Sequence, residues 1–233
     1  MRRQARLEAK IKVVYEAFDW RALANEYGED SVIGVDEVGR GCLAGPVYAC
    51  AAILPNNFDF EAAGVTDSKL LSEKRRESLA ALICEHARVS IGIASEAEIA
   101  ERNILGASLL AMRRAVEGLG IRVGHALIDG NQGIPGLHHG LRQLTLIKGD
   151  MRATPIAAAS IVAKHARDRM MIELAQEFPE YGFDSNKGYA SADHLQAIVK
   201  HGPCRRHRWT FRGVREHWHR VRPDGAQIIN EAR

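Results

Sequence analysis

The sequence predicts an α/β domain, a five-stranded mixed β-sheet flanked by helices with a helical appendage at its C-terminal end. Three observations predict it. Short runs of small and β-branched residues, bounded by turn residues, occur five times between residues 31 and 150. Longer stretches between and after them space their apolar residues at helical intervals. Three of the apolar runs, VIGVD, ALID and LTLIKGD, end in an acid.

The elements follow in order. Residues 1–26 are expected to be helical, with Leu7, Ile11, Val14 and Tyr15 as a narrow apolar stripe. SVIGVDEV (31–38) and PVYACAAIL (46–54) read as the first two strands. Asp67-Ser68 leads into LSEKRRESLAALICEHA (71–87), a helix with Ser72 at its start, although Arg75 stands where a capping box needs an acid. RVSIGIAS (88–95) is the third strand, and SEAEIAERNILGASLLAMRRAVEGLG (95–120) is one helix or two, ending at Gly118 or Gly120. HALIDG (125–130) and RQLTLIKGD (142–150) are the fourth and fifth strands. TPIAAASIVAKHARDRMMIELAQEF (154–178) is a long helix with Pro155 in its first turn and an alanine-rich start suited to close packing on a sheet. After FPEYGFDSNKGY comes a last helix, SADHLQAIVKHG (191–202). The division expected is a helical extension over 1–30, a sheet domain over 31–180, and a helical C-terminal region with a tail over 181–233.

At 233 residues, 46% hydrophobic and 26% charged, the composition is that of a soluble globular chain rather than a disordered one. No apolar run approaches the roughly 20 residues that span a bilayer. The basic N-terminus, MRRQARLEAKIKVVYEAF, lacks the apolar segment and cleavage site of a secretory signal. Cys42, Cys50, Cys84 and Cys204 have no paired spacing, which favours a reducing cytoplasm over a disulfide framework. The net charge is only +3, but residues 204–222 carry seven arginines and three histidines against one acid, interleaved with Trp209, Phe211 and Trp218. That mixture suits phosphates and stacked bases; a solvated arginine-rich helix explains it equally well.

Asp36, Asp129 and Asp150 terminate their runs, and Glu37 follows Asp36. A lone acid at a strand end usually caps a turn. Several brought together repel one another and lose solvation unless a cation joins them. Oxygen ligands favour Mg²⁺ or Mn²⁺ over zinc, and a pair of such ions suits phosphodiester hydrolysis. Neighbouring strand residues face opposite ways, so Asp36 and Glu37 share one site only if the backbone twists, which Gly39 and Gly41 would permit. GRGCLA (39–44) also fits a dinucleotide fingerprint, but that motif needs a helix after it, and Pro46 with a strand follows here. No G-x-x-x-x-G-K-[ST] phosphate loop is present.

VDEVGRG (35–41), TDSKLLSEKRR (66–76), LIDGN (127–131), IKGD (147–150), AAASIVAKHARD (157–168) and NKGY (186–189) occur in an order that resembles bacterial ribonuclease HII, a type 2 ribonuclease H. The resemblance spans residues 31 to 214 and implies a ribonuclease H-like fold. It implies that Asp36, Glu37, Asp129 and Asp150 are the metal-binding catalytic acids. It further implies that the backbone of Gly39, Arg40 and Gly41 and the ring of Tyr189 read a ribose 2′-hydroxyl, and that Lys69 and Lys148 hold phosphates. Cys42 stands where that family commonly has proline, His165 replaces an aliphatic residue, and HRWTF (207–211) varies a more basic stretch.

The activity implied is metal-dependent hydrolysis, with Mg²⁺ or Mn²⁺ and two ions in catalysis, of the RNA strand of RNA–DNA hybrids. Cleavage 5′ of ribonucleotides embedded in duplex DNA, leaving 3′-hydroxyl and 5′-phosphate ends, is also implied, by a monomer with no membrane partner. A resolvase-like metal nuclease and a non-catalytic binding module are the alternatives; an enzyme blind to the 2′-hydroxyl needs neither GRG nor NKGY, and a mere binder needs no four acids. Of the other conspicuous residues, His138-His139 and the His217/His219 pair read as surface histidines. Asp168 reads as an ion-pair partner of neighbouring arginines, Asp67 as a structural cap of the next helix rather than a residue that orients Lys69, and Ser160 as a packing residue bonded to backbone.

Overall fold

The computed structural model describes residues 15–220. Among the described residues five strands are present: β1 (Val32–Val38), β2 (Val47–Ile53), β3 (Arg88–Ala94), β4 (Gly124–Asp129) and β5 (Leu141–Leu146). They form one sheet in the order β3-β2-β1-β4-β5. β1–β2 and β2–β3 pair antiparallel, whereas β1–β4 and β4–β5 pair parallel, so the expected mixed sheet is found.

Alternation along the strands sorts side chains to two faces. Val32, Cys50, Ala52 and Leu127 lie under α1 (Trp20–Tyr27), α2 (Glu73–His86) and α4 (Thr154–Glu177). Ile33, Val35, Ala49, Ala51, Ala126 and Ile128 lie under α3 (Glu96–Gly118). Gly34 is where α4 meets the sheet: a Cβ there would stand 2.1 Å from the Pro155 carbonyl carbon and 2.4 Å from the Ile156 nitrogen. The alanine run of α4 therefore approaches β1 at backbone distance, as the composition anticipated. A third cluster, with Leu43, Ala44, Met171, Tyr181, Phe183, Ile198, Cys204 and Val214, joins the far half of α4 to α5 (Phe183–Asn186) and α6 (Ala192–His201).

Local signals explain most element ends. Ser72 caps α2 by accepting from the Arg75 N–H, without a reciprocal acid. Ser95 and Glu98 form a capping box at the start of α3. Within α3, Asn103 has φ 59° and breaks the helical path. Its Oδ1 accepts from the N–H groups of Leu105 and Gly106 and so starts a second helix, which makes α3 two helices joined at a kink, one of the two forms the sequence allowed.

Three expectations need correction. The N-terminal helix does not include Tyr15 to Asp19: it starts at Trp20, because Asp19 caps it by accepting from the Ala22 N–H at 3.0 Å. Leu7, Ile11 and Val14 lie outside the described residues. Asp150 is not on β5, which ends at Leu146; Lys148 turns the chain through φ 59°, and Asp150 sits in the 3₁₀ turn Gly149–Met151. Finally, β1 stays paired with β2 through Glu37 and Val38, which face Ala49 and Tyr48, so the strand continues past both acids before the glycines bend it. The first distortion comes at Gly39, with φ 92°.

All four cysteines are unpaired. Among the described residues no helix is long and apolar enough to cross a membrane.

Candidate active site

The parallel pairing of β1 and β4 sets Val35 opposite Ile128. Asp36 and Asp129 are the next residues on the two strands and leave the sheet on the α4 face, at the strands' C-terminal ends, where open α/β sheets commonly bind ligands. Asp36 is only 5% exposed. One of its oxygens accepts from the Glu37 N–H at 2.7 Å, and the Ser160 hydroxyl donates to its carboxylate. Ser160 projects from the alanine run of α4 and also meets the Ser68 hydroxyl at 2.9 Å. Its hydrogen bonds thus run to side chains facing the acids rather than to backbone, a role the packing interpretation missed.

Asp129 accepts from the Gly149 N–H at 2.7 Å. The turn packs closely there: a Cβ at Gly149 would stand 2.7 Å from Ile156 Cδ1 and 3.3 Å from Asp129 Oδ1. This bond draws the turn after β5 onto the end of β4 and sets Asp150, 3% exposed, beside Asp129. Lys69 donates to Asp150 Oδ2 at 2.9 Å, while its own N–H is held by Asp67 Oδ1 at 2.9 Å. Asp67 thus caps the 3₁₀ turn Ser68–Leu70, the structural role expected, and through the same bond holds the Lys69 backbone. Lys148 is exposed at the left-handed position before the turn.

Glu37 pairs with Arg40 at 3.2 Å and lies close enough to Asp36 and Asp129 for their charges to act on one another. The acids feel one another. Burial, then Glu37 and Asp129, push the Asp36 carboxyl well above the usual carboxylate range. Glu37 is raised by burial against the opposing pull of Arg40, with Asp129 adding to the rise. Asp129 is raised by burial and then by Asp150, against the Gly149 amide and Lys69. Burial pulls Lys69 down, but Asp150, Asp67 and Asp36 outweigh it and its net shift is upward.

Among the described residues, no three His, Cys, Asp or Glu side chains stand close enough to cage an ion. Lys69 and Arg40 each occupy an oxygen of one acid. The donor set is nonetheless that of a hard divalent cation: carboxylate oxygens whose charged forms are penalised by burial and by each other. Cys50, opposite Asp36 in the β1–β2 register, offers no thiolate, because burial pushes its thiol far up.

The second half of the site is the loop after β1. The carbonyls of Gly39, Arg40 and Gly45 accept from Arg208, at 2.7, 2.9 and 2.8 Å. Arg167 donates to the carbonyls of Ala44, Pro46 and Lys187 at 3.0, 3.1 and 2.9 Å. Both guanidiniums are almost wholly buried. A peptide's C=O and N–H point in opposite directions. With the Gly39 and Arg40 carbonyls held inward, the N–H groups of Arg40 and Gly41 turn outward, and no described backbone bond uses them. The two glycines differ. A Cβ at Gly39 would lie 2.2 Å from Arg167 Nε, whereas one at Gly41 meets nothing within 4 Å.

Tyr189 stands beside this loop. Leu43 N–H donates to the Gly188 carbonyl at 2.7 Å, and a Cβ at Gly188 would press to 2.7 Å from the Ala44 carbonyl oxygen. The Tyr189 ring is 42% exposed, with Lys164 Nζ 5.7 Å from its centroid, and its phenol reaches the Cys42 thiol. Burial, followed by Cys42, raises its pKa.

Sequence reasoning missed Arg167 and Arg208. Nothing in the arginine-rich stretch marks Arg208 as buried: Arg205 pairs with Glu177 and Arg215 with Glu216 at the surface, and Arg206 with the largely buried Glu96. Asp168 is an ion-pair residue as expected, but its partners are Lys164 at 2.6 Å and Arg76 at 3.6 Å, not its neighbouring arginines. His138 stacks on His139 and sets Nδ1 2.8 Å from the Arg122 carbonyl oxygen.

The ribonuclease HII family model matches residues 33–221. A ribonuclease HII of Geobacter metallireducens is 52% identical over 196 residues, 84% of this chain and 90% of that one. Ribonuclease H2 from Pyrococcus horikoshii superposes with a TM-score of 0.66 at 25% identity, covering 82% of this chain and 98% of its own. Bst-RNase HIII in complex with Mn²⁺ has a TM-score of 0.65 at 19% identity, covers 88% of this chain and 75% of its own, and shares the fold.

Proposed function

The chain belongs to the ribonuclease HII family, and we propose that Asp36, Glu37, Asp129 and Asp150 are its catalytic, metal-binding acids. It is an endoribonuclease of the ribonuclease H class, built on the ribonuclease H-like fold, acting on the RNA strand of RNA–DNA hybrids. The finer reading is that it also cuts duplex DNA on the 5′ side of an embedded ribonucleotide, leaving 3′-hydroxyl and 5′-phosphate ends.

One observation carries this reading: buried Asp36 and semi-buried Asp129 leave adjacent parallel strands side by side, each raised in pKa by burial and by another acid. Carboxylates so placed favour divalent cations, taken here as two Mg²⁺ or Mn²⁺ ions. When bound, such ions lower the pKa of water and stabilise charge on the leaving oxygen. Binding them asks Lys69 and Arg40 to release their acids. Lys69, freed from Asp150, and exposed Lys148 then have a phosphate to bind.

Sugar recognition falls to the other half. The 2′-hydroxyl is what separates RNA from DNA at a given position. The outward N–H groups of Arg40 and Gly41 suit its oxygen, and the bare Cα of Gly41 leaves room for backbone contact. The half-exposed ring of Tyr189 packs against the adjoining sugar, where an extra hydroxyl would clash, which favours a ribonucleotide followed by DNA. The same reading takes the protein as a cytoplasmic monomer, in keeping with four unpaired cysteines, and divides it near residues 30 and 180.

The test is cleavage of a DNA duplex containing one ribonucleotide, with magnesium, manganese and chelator lanes and mapping of the ends. Metal-dependent scission 5′ of the ribonucleotide is expected; activity undiminished by chelator, or equal cutting of all-DNA duplex, would refute the assignment.

A further inference from the structure

Two adjacent residues, His207 and Arg208, reach from behind the two halves of the sugar-reading site. Arg208, 1% exposed, spends its guanidinium on the Gly39, Arg40 and Gly45 carbonyls. Among the described residues no carboxylate lies within ion-pair distance of it. A planar fork of fixed geometry holds three acceptors in one arrangement, which a flexible ammonium does not.

His207, also 1% exposed, reaches the other half through a buried chain. The Cys204 N–H donates to His207 Nδ1 at 3.0 Å, and His207 Nε2 lies 3.0 Å from His194 Nε2. His194 Nδ1 lies 2.7 Å from the Tyr189 carbonyl oxygen. A carbonyl only accepts, so Nδ1 of His194 carries a proton. Nδ1 of His207 accepts, so its Nε2 carries one and donates to His194. Two neutral rings of opposite tautomer satisfy every bond. Burial lowers the pKa of both, that of His207 to about 3.

Backbone bonds lace the same segments together. His207 bridges Ala44, the Arg208 N–H donates to the Leu43 carbonyl at 2.8 Å, and the Leu43 N–H donates to that of Gly188.

We infer that His207 and Arg208 are positioning residues which fix the glycine loop and Tyr189 relative to each other, and so govern the selection of a ribose. The inference rests on the sugar-reading role given above to Gly39–Gly41 and Tyr189. Neither residue is placed to touch the scissile phosphate; each acts through backbone carbonyls.

The experiment uses the full chain with Arg208→Lys and His207→Gln. For each, kcat and KM are measured on a duplex holding one ribonucleotide, together with Kd for the all-DNA duplex of the same sequence. Misplacement by an ångström costs about a hundredfold in rate, so kcat on the ribonucleotide substrate should fall about ten- to hundredfold, with all-DNA binding within about twofold of wild type. A stability control, Leu79→Ala on the buried face of α2, should lower Tm without that loss in kcat. If wild type cuts the ribonucleotide duplex and both variants keep its kcat, the inference fails while the sugar-reading role stands. If wild type does not cut it, the underlying reading fails first. Should either variant not fold, ring ¹⁵N–¹H correlations on wild type decide. Protons on His194 Nδ1 and His207 Nε2 at neutral pH support the chain to Tyr189, and the opposite tautomers or a cationic ring overturn it.

Discussion

Gly41→Ala separates what the fold needs from what the substrate needs. A Cβ at this position meets no atom within 4 Å, and its φ lies outside the left-handed range. Replacing glycine at a compatible conformation stabilises by about 0.4–1 kcal/mol through the unfolded chain. For a protein of this size that is a rise in Tm of roughly 1–4 °C. Gly39→Ala provides the contrast. It combines φ 92° with a Cβ 2.2 Å from Arg167 Nε and 2.8 Å from Arg167 Cδ, inside a buried hydrogen-bonded network. Strain and overpacking of that kind cost about 1–3 kcal/mol. If the Gly41 backbone meets the ribose, a methyl there displaces the sugar by about an ångström, and kcat/KM should fall about a hundredfold while the protein remains fully folded. Calorimetry with steady-state kinetics on a single-ribonucleotide duplex reads both quantities. Wild-type kcat/KM in Gly41→Ala would show that nothing approaches this backbone closely, and a fall in its Tm as large as that of Gly39→Ala would refute the steric reasoning.

Asp129→Asn should abolish turnover with little loss of duplex binding, measured by single-turnover cleavage beside a binding titration; near-normal activity in magnesium would remove Asp129 from the acid set. Tyr189→Phe keeps the ring but loses the hydroxyl beside Cys42, and preference for a ribonucleotide over all-DNA duplex should decline; unchanged discrimination would leave the phenol without a sensing role. Gly34→Ala places a methyl 2.1 Å from backbone of α4 and should cost about 3 kcal/mol or more, seen as a large drop in the denaturation midpoint. The fourth concerns acid stability. His207 stays neutral in the fold down to about pH 3, while the unfolded chain protonates near 6.5, so the stability this ring contributes is complete above 6.5 and is lost as pH falls. Denaturation between pH 6.5 and 4.5 should show a slope that Gln at position 207 makes shallower, and identical slopes would exclude a neutral His207.

The β-segments were legible because small and β-branched residues recur in short runs, and all five appear with ends shifted by a few residues. Asp36 and Asp129 were legible because an acid closing an apolar run reports a strand end. Asp150 was read as the same kind of signal and is not: Lys148 in a left-handed turn and the Gly149–Asp129 bond bring it to the site from beyond the strand. Ser160 was hidden inside an alanine run whose periodicity speaks only of packing. Arg208 and His207 were hidden in a run of like residues, where composition is the same whether a side chain is solvated or buried.

The one-dimensional pattern by itself determined which segments alternate, which helices carry caps, and which residues bear the chemistry, because these depend on neighbours a few positions apart. Only the tertiary structure decided that Gly39 is demanded by Arg167 and Gly41 by none of the described residues. It also decided that two buried arginines, Arg167 and Arg208, spend their guanidiniums on backbone carbonyls. Those facts are contacts between residues more than a hundred positions apart, set by strand register and helix approach. Burial, and with it the energy of every charge, is fixed only when those distant segments close on one another.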